Sequence, residues 1–186
     1  MTTLELEAHL EGGVETQNID FKGPCEWKVI TFAKDILALS NSQDGGCIII
    51  GVDDGSFRRV GVTEELAKTY DVDCMRDQMA VFADPYVIFY VDFPKDKTGL
   101  QYIVIEVIPF EEIPVICKKD STDTQAATIY YRNKNRRVES ARISNSYDLR
   151  TIIEIATARM MQRKKQMGFN VETGVKQKLD DELEGL

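Results

Sequence analysis

The chain has 186 residues, of which 43% are hydrophobic and 29% charged, a composition typical of one soluble domain. No run approaches the roughly 18 apolar residues of a membrane span, and the acidic N-terminus lacks a secretion signal, so we expect a cytoplasmic protein. The single histidine, His9, argues against triads with a histidine base and zinc sites rich in imidazole.

The net charge of -8 hides an uneven distribution of charged residues. Residues 132–165 include ten basic and three acidic side chains, so this window carries +7 while the rest of the chain carries -15. A local basic stripe can attract phosphate groups while the acidic remainder repels them. The overall charge is therefore a poor guide to the partner.

The first part of the chain predicts helix, strand, helix and strand in that order. Residues 3–11 predict a short helix, and "VETQNIDFK" predicts an extended segment whose alternation sends Asp20 and Lys22 to the same side. Apolar residues at helical spacing from 28 to 41 predict a helix that covers a sheet. The branched run "CIIIGVDD" then predicts a central strand that is buried on both faces.

The second part predicts mostly antiparallel strands and a last helix. "RRVGV" suggests a short return strand, and helical residues follow, with Thr63 and Asp71 as candidate helix starts. "YVIFYVDF" and "LQYIVIEVI" predict a hairpin, and "PVIC" and "ATIYYRN" predict a last pair of strands. We expect an α+β domain over residues 1–145, a helix over 146–168, and a mobile tail over 169–186.

Three motifs, in order over about residues 12–140, resemble those of the Schlafen AlbA_2 domain. "ETQNIDFK" is similar to the family's E-x4-E-F-K, and "ALSNSQDGGCIIIGVDD" to its A-F-A-N-T-x-G-G-x-x-x-I-G-V-D-D. "IYYRNKN" is similar to the family's Y-Y-x-R segment. The resemblance implies a mixed, mostly antiparallel sheet with helices packed on it.

The resemblance also implies a candidate metal site. Eukaryotic members of this kind cut RNA with a divalent metal held by two glutamates and an aspartate, and the matching positions here are Glu15, Asp20 and Asp54. Lys22 takes the place of the family's lysine, and Asp20 stands where the nuclease members have glutamate. Such carboxylates suit Mg²⁺ or Mn²⁺, and Asp53 is an alternative to Asp54.

Ordinary structure is the competing interpretation of the same residues. Asp and Glu at strand ends are mostly solvated, and Asp-Asp-Gly is common turn material. Gly45 and Gly46 suggest a phosphate loop, but no G-K-[ST] follows them, so ATP binding is disfavoured. A turn with positive φ is the role that we expect for these glycines.

The stretch "YYRNKNRR" is the candidate nucleic-acid contact, since cations neutralise phosphates and a tyrosine can stack on an unpaired base. Strand alternation turns one of Tyr130 and Tyr131 inward, so at most one of them can stack on a base. The alternative interpretation is a core tyrosine followed by a solvated loop. The candidate contact residues are Tyr131, Arg132, Lys134, Arg136 and Arg137.

These observations favour a nucleic-acid-binding Schlafen-like domain and a candidate metal-dependent nuclease acting on RNA or single-stranded DNA. The alternatives are a non-catalytic DNA-binding or regulatory module, a protein-interaction scaffold and an ATP-binding domain. Eukaryotic Schlafen cores resemble two such lobes facing one another. The resemblance therefore suggests a homodimer in which the helix over residues 147–167 takes part.

Overall fold

The computed structural model of the chain describes residues 1–12, 15–53, 55–132 and 139–169. Several predicted features lie outside these ranges: Asp54, Lys134, Arg136, Arg137 and the tail from residue 170 onward. Among the described helices, none is both long and apolar enough to pass through a bilayer.

The described helices and strands follow the predicted order and confirm an α+β fold. The helices are α1 (Thr3–Gly12), α2 (Val29–Ser40), α3 (Glu64–Ala67), α4 (Val72–Ala80) and α5 (Ser146–Gln166). The strands are β1 (Ile19–Lys22), β2 (Gly46–Ile50), β3 (Ala83–Asp84), β4 (Phe89–Asp92), β5 (Ile103–Val107), β6 (Ile116–Cys117), β7 (Tyr130–Arg132) and β8 (Ser140–Arg142).

A four-stranded sheet in the order β1-β2-β5-β4 forms the centre of the fold. β1 runs parallel to β2, and the β2–β5 and β4–β5 pairs are antiparallel. The sheet is therefore mixed and mostly antiparallel, as predicted. The predicted hairpin is the β4–β5 pair, and the predicted central strand is β2, whose last three residues are fully buried.

Alternation along β2 divides the apolar side chains between two cores. Ile48 and Ile50 pack on the side of α2, together with Phe32 and Ile36. Ile49 packs on the other side with residues of α1 and β5. Burying a side chain of this size contributes roughly 1.5–3 kcal/mol, so both helices are held to the sheet mainly by apolar contact.

Thr63 and Asp71, the two predicted helix starts, each cap the N-terminus of a helix. The side chain of Thr63 accepts the N–H of Leu66 at the start of α3, and the side chain of Asp71 accepts the N–H of Cys74 at the start of α4. Each cap satisfies a backbone donor that the first turn leaves free. The helical pattern therefore corresponds to two short helices, divided before Asp71.

Two strand predictions differ from the structure. β6 pairs with β3 and β7 pairs with β8, so in the described part the predicted partners share only the bridge between Cys117 and Thr128. The return strand at 58–62 is reduced to a bridge between Val52 and Arg59, because the N–H groups of Val60 and Gly61 both go to the carbonyl of Gly51. Sharing one acceptor prevents a regular ladder from forming.

Candidate functional site

Four charged side chains meet on the α2 side of the sheet, and we call them the α2-side cluster: Asp20, Lys22, Asp35 and Arg132. Arg132 Nη1 lies 2.8 Å from Asp20 Oδ1. Lys22 Nζ lies 3.0 Å from Asp20 Oδ2 and 2.8 Å from Asp35 Oδ2. The predicted pair on β1 is thus joined to a helix and to the tyrosine-arginine strand.

Local structure explains why these residues meet. Phe21 turns into the α1-side core, so its neighbours Asp20 and Lys22 turn toward α2, which carries Asp35. β7 lies against the same helix and brings Arg132. Arg132 Nη2 also donates to the carbonyls of Thr16 and Ile19, each at 3.3 Å, so the guanidinium ties β7 to both ends of the turn before β1.

The α2-side cluster balances two carboxylates against two cations in a place with little solvent. Arg132 is fully buried, and Asp20 is 7% exposed. Burial opposes the ammonium of Lys22, but the carboxylates of Asp35 and Asp20 outweigh this effect and raise the pKa of Lys22 above its ordinary value. Charges that leave water at this cost persist only when they are paired.

The α2-side cluster leaves several polar atoms without hydrogen bonds. Among the described residues, the buried side-chain atoms without a hydrogen-bond partner are Asp20 Oδ2, Arg132 Nε and Ser140 Oγ. Asp20 Oδ2 has Lys22 Nζ within ion-pair distance, but not in hydrogen-bonding alignment. Ser140 lies opposite Arg132 in the β7–β8 pair, so all three atoms belong to one region of the molecule.

The predicted metal ligands are only partly described. Each Asp20 oxygen faces a cation, so a metal ion at Asp20 would have to displace Arg132 or Lys22. Glu15 Oε1 receives the N–H of Phe21 at 3.4 Å. Among described residues there is no group of three His, Cys, Asp or Glu side chains that could hold a metal, and the alternative ligand Asp53 accepts a hydrogen bond from Ser56. Asp54 lies outside the described residues.

Tyr131 and Arg132 require a correction, because neither is a surface contact in this fold. Tyr131 is 5% exposed, and its hydroxyl lies 3.5 Å from the amide nitrogen of Gln17. The guanidinium of Arg132 is buried and donates to the carboxylate of Asp20. Tyr130 is equally buried and its hydroxyl accepts the N–H of Gln125, so both tyrosines point inward. Burial raises the pKa of both phenols. β7 is covered on both faces, which strand alternation alone does not reveal.

Three polar residues that support the site were not predicted. Asp35 pairs with Lys22, and its signal is a lone carboxylate within the apolar pattern of α2. Gln17 donates to the carbonyl of Arg132 at 2.9 Å. Asn41 is fully buried, donates to the carbonyls of Val115 and Tyr130 and accepts the N–H of Val115. Asn41 lies in the motif "ALSNSQDGG", and an asparagine at this position of the motif is the feature of the sequence that could have indicated its role.

The glycine turn after Asn41 has the predicted positive φ at Gly45 but not at Gly46. Gly45 has a φ of +68°, and a Cβ atom there would lie 2.2 Å from the carbonyl oxygen of Val107. Only glycine fits both the left-handed backbone and the close approach. The turn therefore allows β2 to enter the sheet tightly, and its role here is structural.

A second ionic group, the α1-side cluster, lies on the opposite side of the sheet: Glu7, Arg59, Asp96 and Lys97. Arg59 Nη1 lies 3.0 Å from Glu7 Oε2 and 3.9 Å from Asp96 Oδ2. Asp96 accepts hydrogen bonds from the backbone and hydroxyl of Thr98, the backbone of Leu100 and the hydroxyl of Tyr102. This cluster joins α1 to the β4–β5 loop, and the oxygens of Asp96 are fully used.

Comparison with known proteins places the chain in a family. No curated protein matches it. The crystal structure of the DIP2311 protein from Corynebacterium diphtheriae is similar, with a TM-score of 0.51 and 15% identity over 79% of this chain. The match spans 27% of that longer chain, and at this identity it concerns the fold alone. The family model described as "Schlafen, AlbA_2" matches residues 15–141. The chain therefore belongs to the Schlafen AlbA_2 family.

Proposed function

We propose that this chain binds nucleic acid through the phosphate backbone, and that Asp20 serves this binding by holding Arg132 in place of a metal ion. Membership in the Schlafen AlbA_2 family supports a function connected with nucleic acid. The observation that carries the proposal is the buried ion pair between Arg132 and Asp20 at 2.8 Å.

The ion pair fixes the point from which the basic segment, residues 133–138, leaves β7. This segment contains Lys134, Arg136 and Arg137 and returns to the described structure before Ser140. A cation-rich segment between two anchored strands suits contact with phosphates, which position a nucleic acid without reading its sequence. Arg132 then acts as the anchor of the interface, and the three cations beyond it act as the contacts.

The contacts of the Asp20 carboxylate favour nucleic-acid binding that needs no metal ion at this residue. Asp20 Oδ1 bonds Arg132 and Asp20 Oδ2 faces Lys22, so both positions that a cation would take are already held by cations of the chain. Displacing Arg132 would leave its buried charge without an ion-pair partner among the described residues, which costs roughly 3–5 kcal/mol. The proposed binding is consequently independent of divalent metal.

The test is a titration of labelled tRNA and labelled single-stranded DNA with the protein, in Mg²⁺, in Mn²⁺ and in chelator. We expect binding without cleavage, equal in all three conditions, and a salt slope that R136Q/R137Q reduces by roughly 0.7 on single strands, or about 0.9 on duplex regions, for each cation removed. Glu15→Ala and Asp54→Ala serve as matched controls and are expected to bind as wild type does. Binding that vanishes in chelator would contradict the proposal.

The second candidate is a divalent-metal nuclease, favoured by the position of Glu15 beside β1 and by the family's motif. Glu15, Asp20 and Asp54 would hold Mg²⁺ or Mn²⁺, which when bound supplies an activated water and polarises a phosphate. Lys22 would neutralise charge on the phosphoryl oxygens. In the same titration, metal-dependent cleavage that is lost in both Glu15→Ala and Asp54→Ala would establish this candidate and overturn the first.

We also propose a homodimer in which α5 takes part. The outer face of α5 exposes Leu149, Ile153, Met160 and Met161 to solvent, although Ile152 on the same helix is fully buried. An exposed apolar stripe on a long helix suits helix-on-helix contact with a second copy. Light scattering of wild type and of Ile153→Glu tests this: we expect a dimer that the substitution converts to monomer, and a monomeric wild type would overturn it.

A further inference from the structure

A polar cleft of about 490 Å³ lies between α2 and β8, next to the α2-side cluster, and we call it the α2–β8 cleft. Its walls are Lys34 of α2, the loop of residues 120–125, Tyr130 and residues 140–142. We propose that the α2–β8 cleft binds a phosphate group of the nucleic-acid backbone. The inference rests on the proposed function and adds a second contact, on described residues, to the one made by the basic segment.

Two cationic side chains, Lys34 and Arg142, line the α2–β8 cleft. Within the described part of the chain, neither Lys34 nor Arg142 forms an ion pair, which sets them apart from the cations of the α2-side cluster. Arg142 Nη1 donates to the amide oxygen of Gln125 at 3.2 Å, and the other N–H groups of its guanidinium form no hydrogen bond with the described residues, so they can serve a ligand. A guanidinium and an ammonium that line one cleft from two elements suit phosphate oxygens.

The hydroxyl of Ser140 is the observation that points most directly to a ligand. Ser140 is 8% exposed and lines the cleft, and its Oγ has no hydrogen-bond partner among the described residues. Buried polar atoms are almost always hydrogen-bonded, so this hydroxyl is a donor that a group bound in the cleft could use.

Two carboxylates also line the α2–β8 cleft, and removing one of them is expected to change the affinity for nucleic acid in a known direction. Asp120 and Asp123 also line the cleft, and Asp120 Oδ1 is held by the N–H of Ala126 at 2.9 Å. Because carboxylates repel phosphate, the cleft binds by directed hydrogen bonds and not by net charge. Removing the exposed Asp123 carboxylate is therefore expected to strengthen binding.

The experiment measures affinity for labelled single-stranded RNA and DNA as a function of salt, with Lys34→Gln and Arg142→Gln as test variants. Lys68→Gln and Arg76→Gln change exposed cations away from the cleft and are the matched controls. We expect each test variant to bind severalfold more weakly, with a salt slope lower by roughly 0.7 per lost phosphate contact, and each control to bind as wild type does. Asp123→Asn is expected to bind more tightly than wild type.

The outcomes separate the cleft from the proposed function. If R136Q/R137Q weakens binding while Lys34→Gln and Arg142→Gln match their controls, the cleft is overturned and the proposed function stands. If wild type binds neither strand at low salt, both are overturned. If the two cleft variants alone lose affinity, the inference holds, and comparison of the RNA and DNA arms gives the preferred backbone. A Ser140→Ala variant that keeps its stability but loses affinity would support the same conclusion.

Discussion

The two ionic clusters on opposite sides of the sheet differ in how completely their atoms are bonded. On the α1 side, Asp96 receives four hydrogen bonds, and Glu7 is held by Arg59 and by the backbone of Lys97. On the α2 side, Asp20, Arg132 and the adjacent Ser140 each have a buried atom that forms no hydrogen bond with the described residues. A network in which every polar atom is hydrogen-bonded stabilises the contact between two elements. A network with unpaired polar atoms beside a polar cleft is where we expect a ligand to bind.

The largest effect is expected from breaking the α2-side cluster at its fully buried member. Arg132→Met leaves Asp20 without its strongest partner in a buried place, so we expect the free energy of unfolding in urea to fall by about 3–5 kcal/mol. On the α1 side, Arg59 is partly exposed, and Arg59→Met is expected to cost about 1 kcal/mol or less. Equal losses in the two variants would contradict the difference between the clusters.

A smaller loss is expected from opening the α1-side cluster at Asp96. Asp96→Ala removes an acceptor from the N–H groups of Thr98 and Leu100 and from the buried hydroxyl of Tyr102, so unfolding is expected to become easier by about 2–3 kcal/mol. Affinity for nucleic acid should be unchanged, because this joint lies on the other side of the sheet. Urea unfolding and the RNA titration check both statements, and a loss of affinity by a folded variant would count against the assignment.

The acid dependence of stability provides a third comparison. Burial opposes the carboxylate of Asp96, but hydrogen bonds from Thr98 and Leu100 outweigh it and hold the pKa of Asp96 below its usual value. Because the folded pKa lies below that of the unfolded chain, this contribution is present above about pH 4 and is lost as pH falls through the folded value. Asp96→Asn should therefore flatten the fall in unfolding free energy below about pH 4. Parallel curves for variant and wild type would refute this.

The smallest effect on stability is expected at Ser140. Its Oγ has no hydrogen-bond partner among the residues that the structure describes, so Ser140→Ala is expected to change the unfolding free energy by less than about 0.5 kcal/mol. The matched control is Ser40, which is also buried but donates to the carbonyl of Leu37 at 2.8 Å, and Ser40→Ala is expected to cost about 1 kcal/mol. A large loss for Ser140→Ala would mean that its hydroxyl is already satisfied within the fold.

The sequence predicted those parts of the fold that depend on local pattern. The stripe of α2, the buried run of β2, the β4–β5 hairpin and the caps at Thr63 and Asp71 each follow from spacing or from one side chain, and each is confirmed. Strand pairing depends on contacts between distant segments, which is why β6 was matched with β7 in error. Asp35 and Gln17 were missed for the same reason, since their partners lie on other elements.

The candidate site was predicted in part. Alternation correctly placed Asp20 and Lys22 on one side of β1, but it gave no indication that Arg132 would come from β7 to neutralise Asp20. A basic residue in a basic stretch suggests the surface, and only the burial of β7 between α2 and the turn before β1 reverses that interpretation. The roles of Glu15, Asp54 and the cations of residues 133–138 stay predictions.

Metal-independent binding of nucleic acid can be measured as the affinity of the wild-type chain for short labelled RNA in chelator, over a range of salt concentrations. We expect binding that weakens steadily as salt rises and that is unchanged when Mg²⁺ or Mn²⁺ replaces the chelator. Binding that requires the metal, or RNA that is cut when the metal is present, would contradict it.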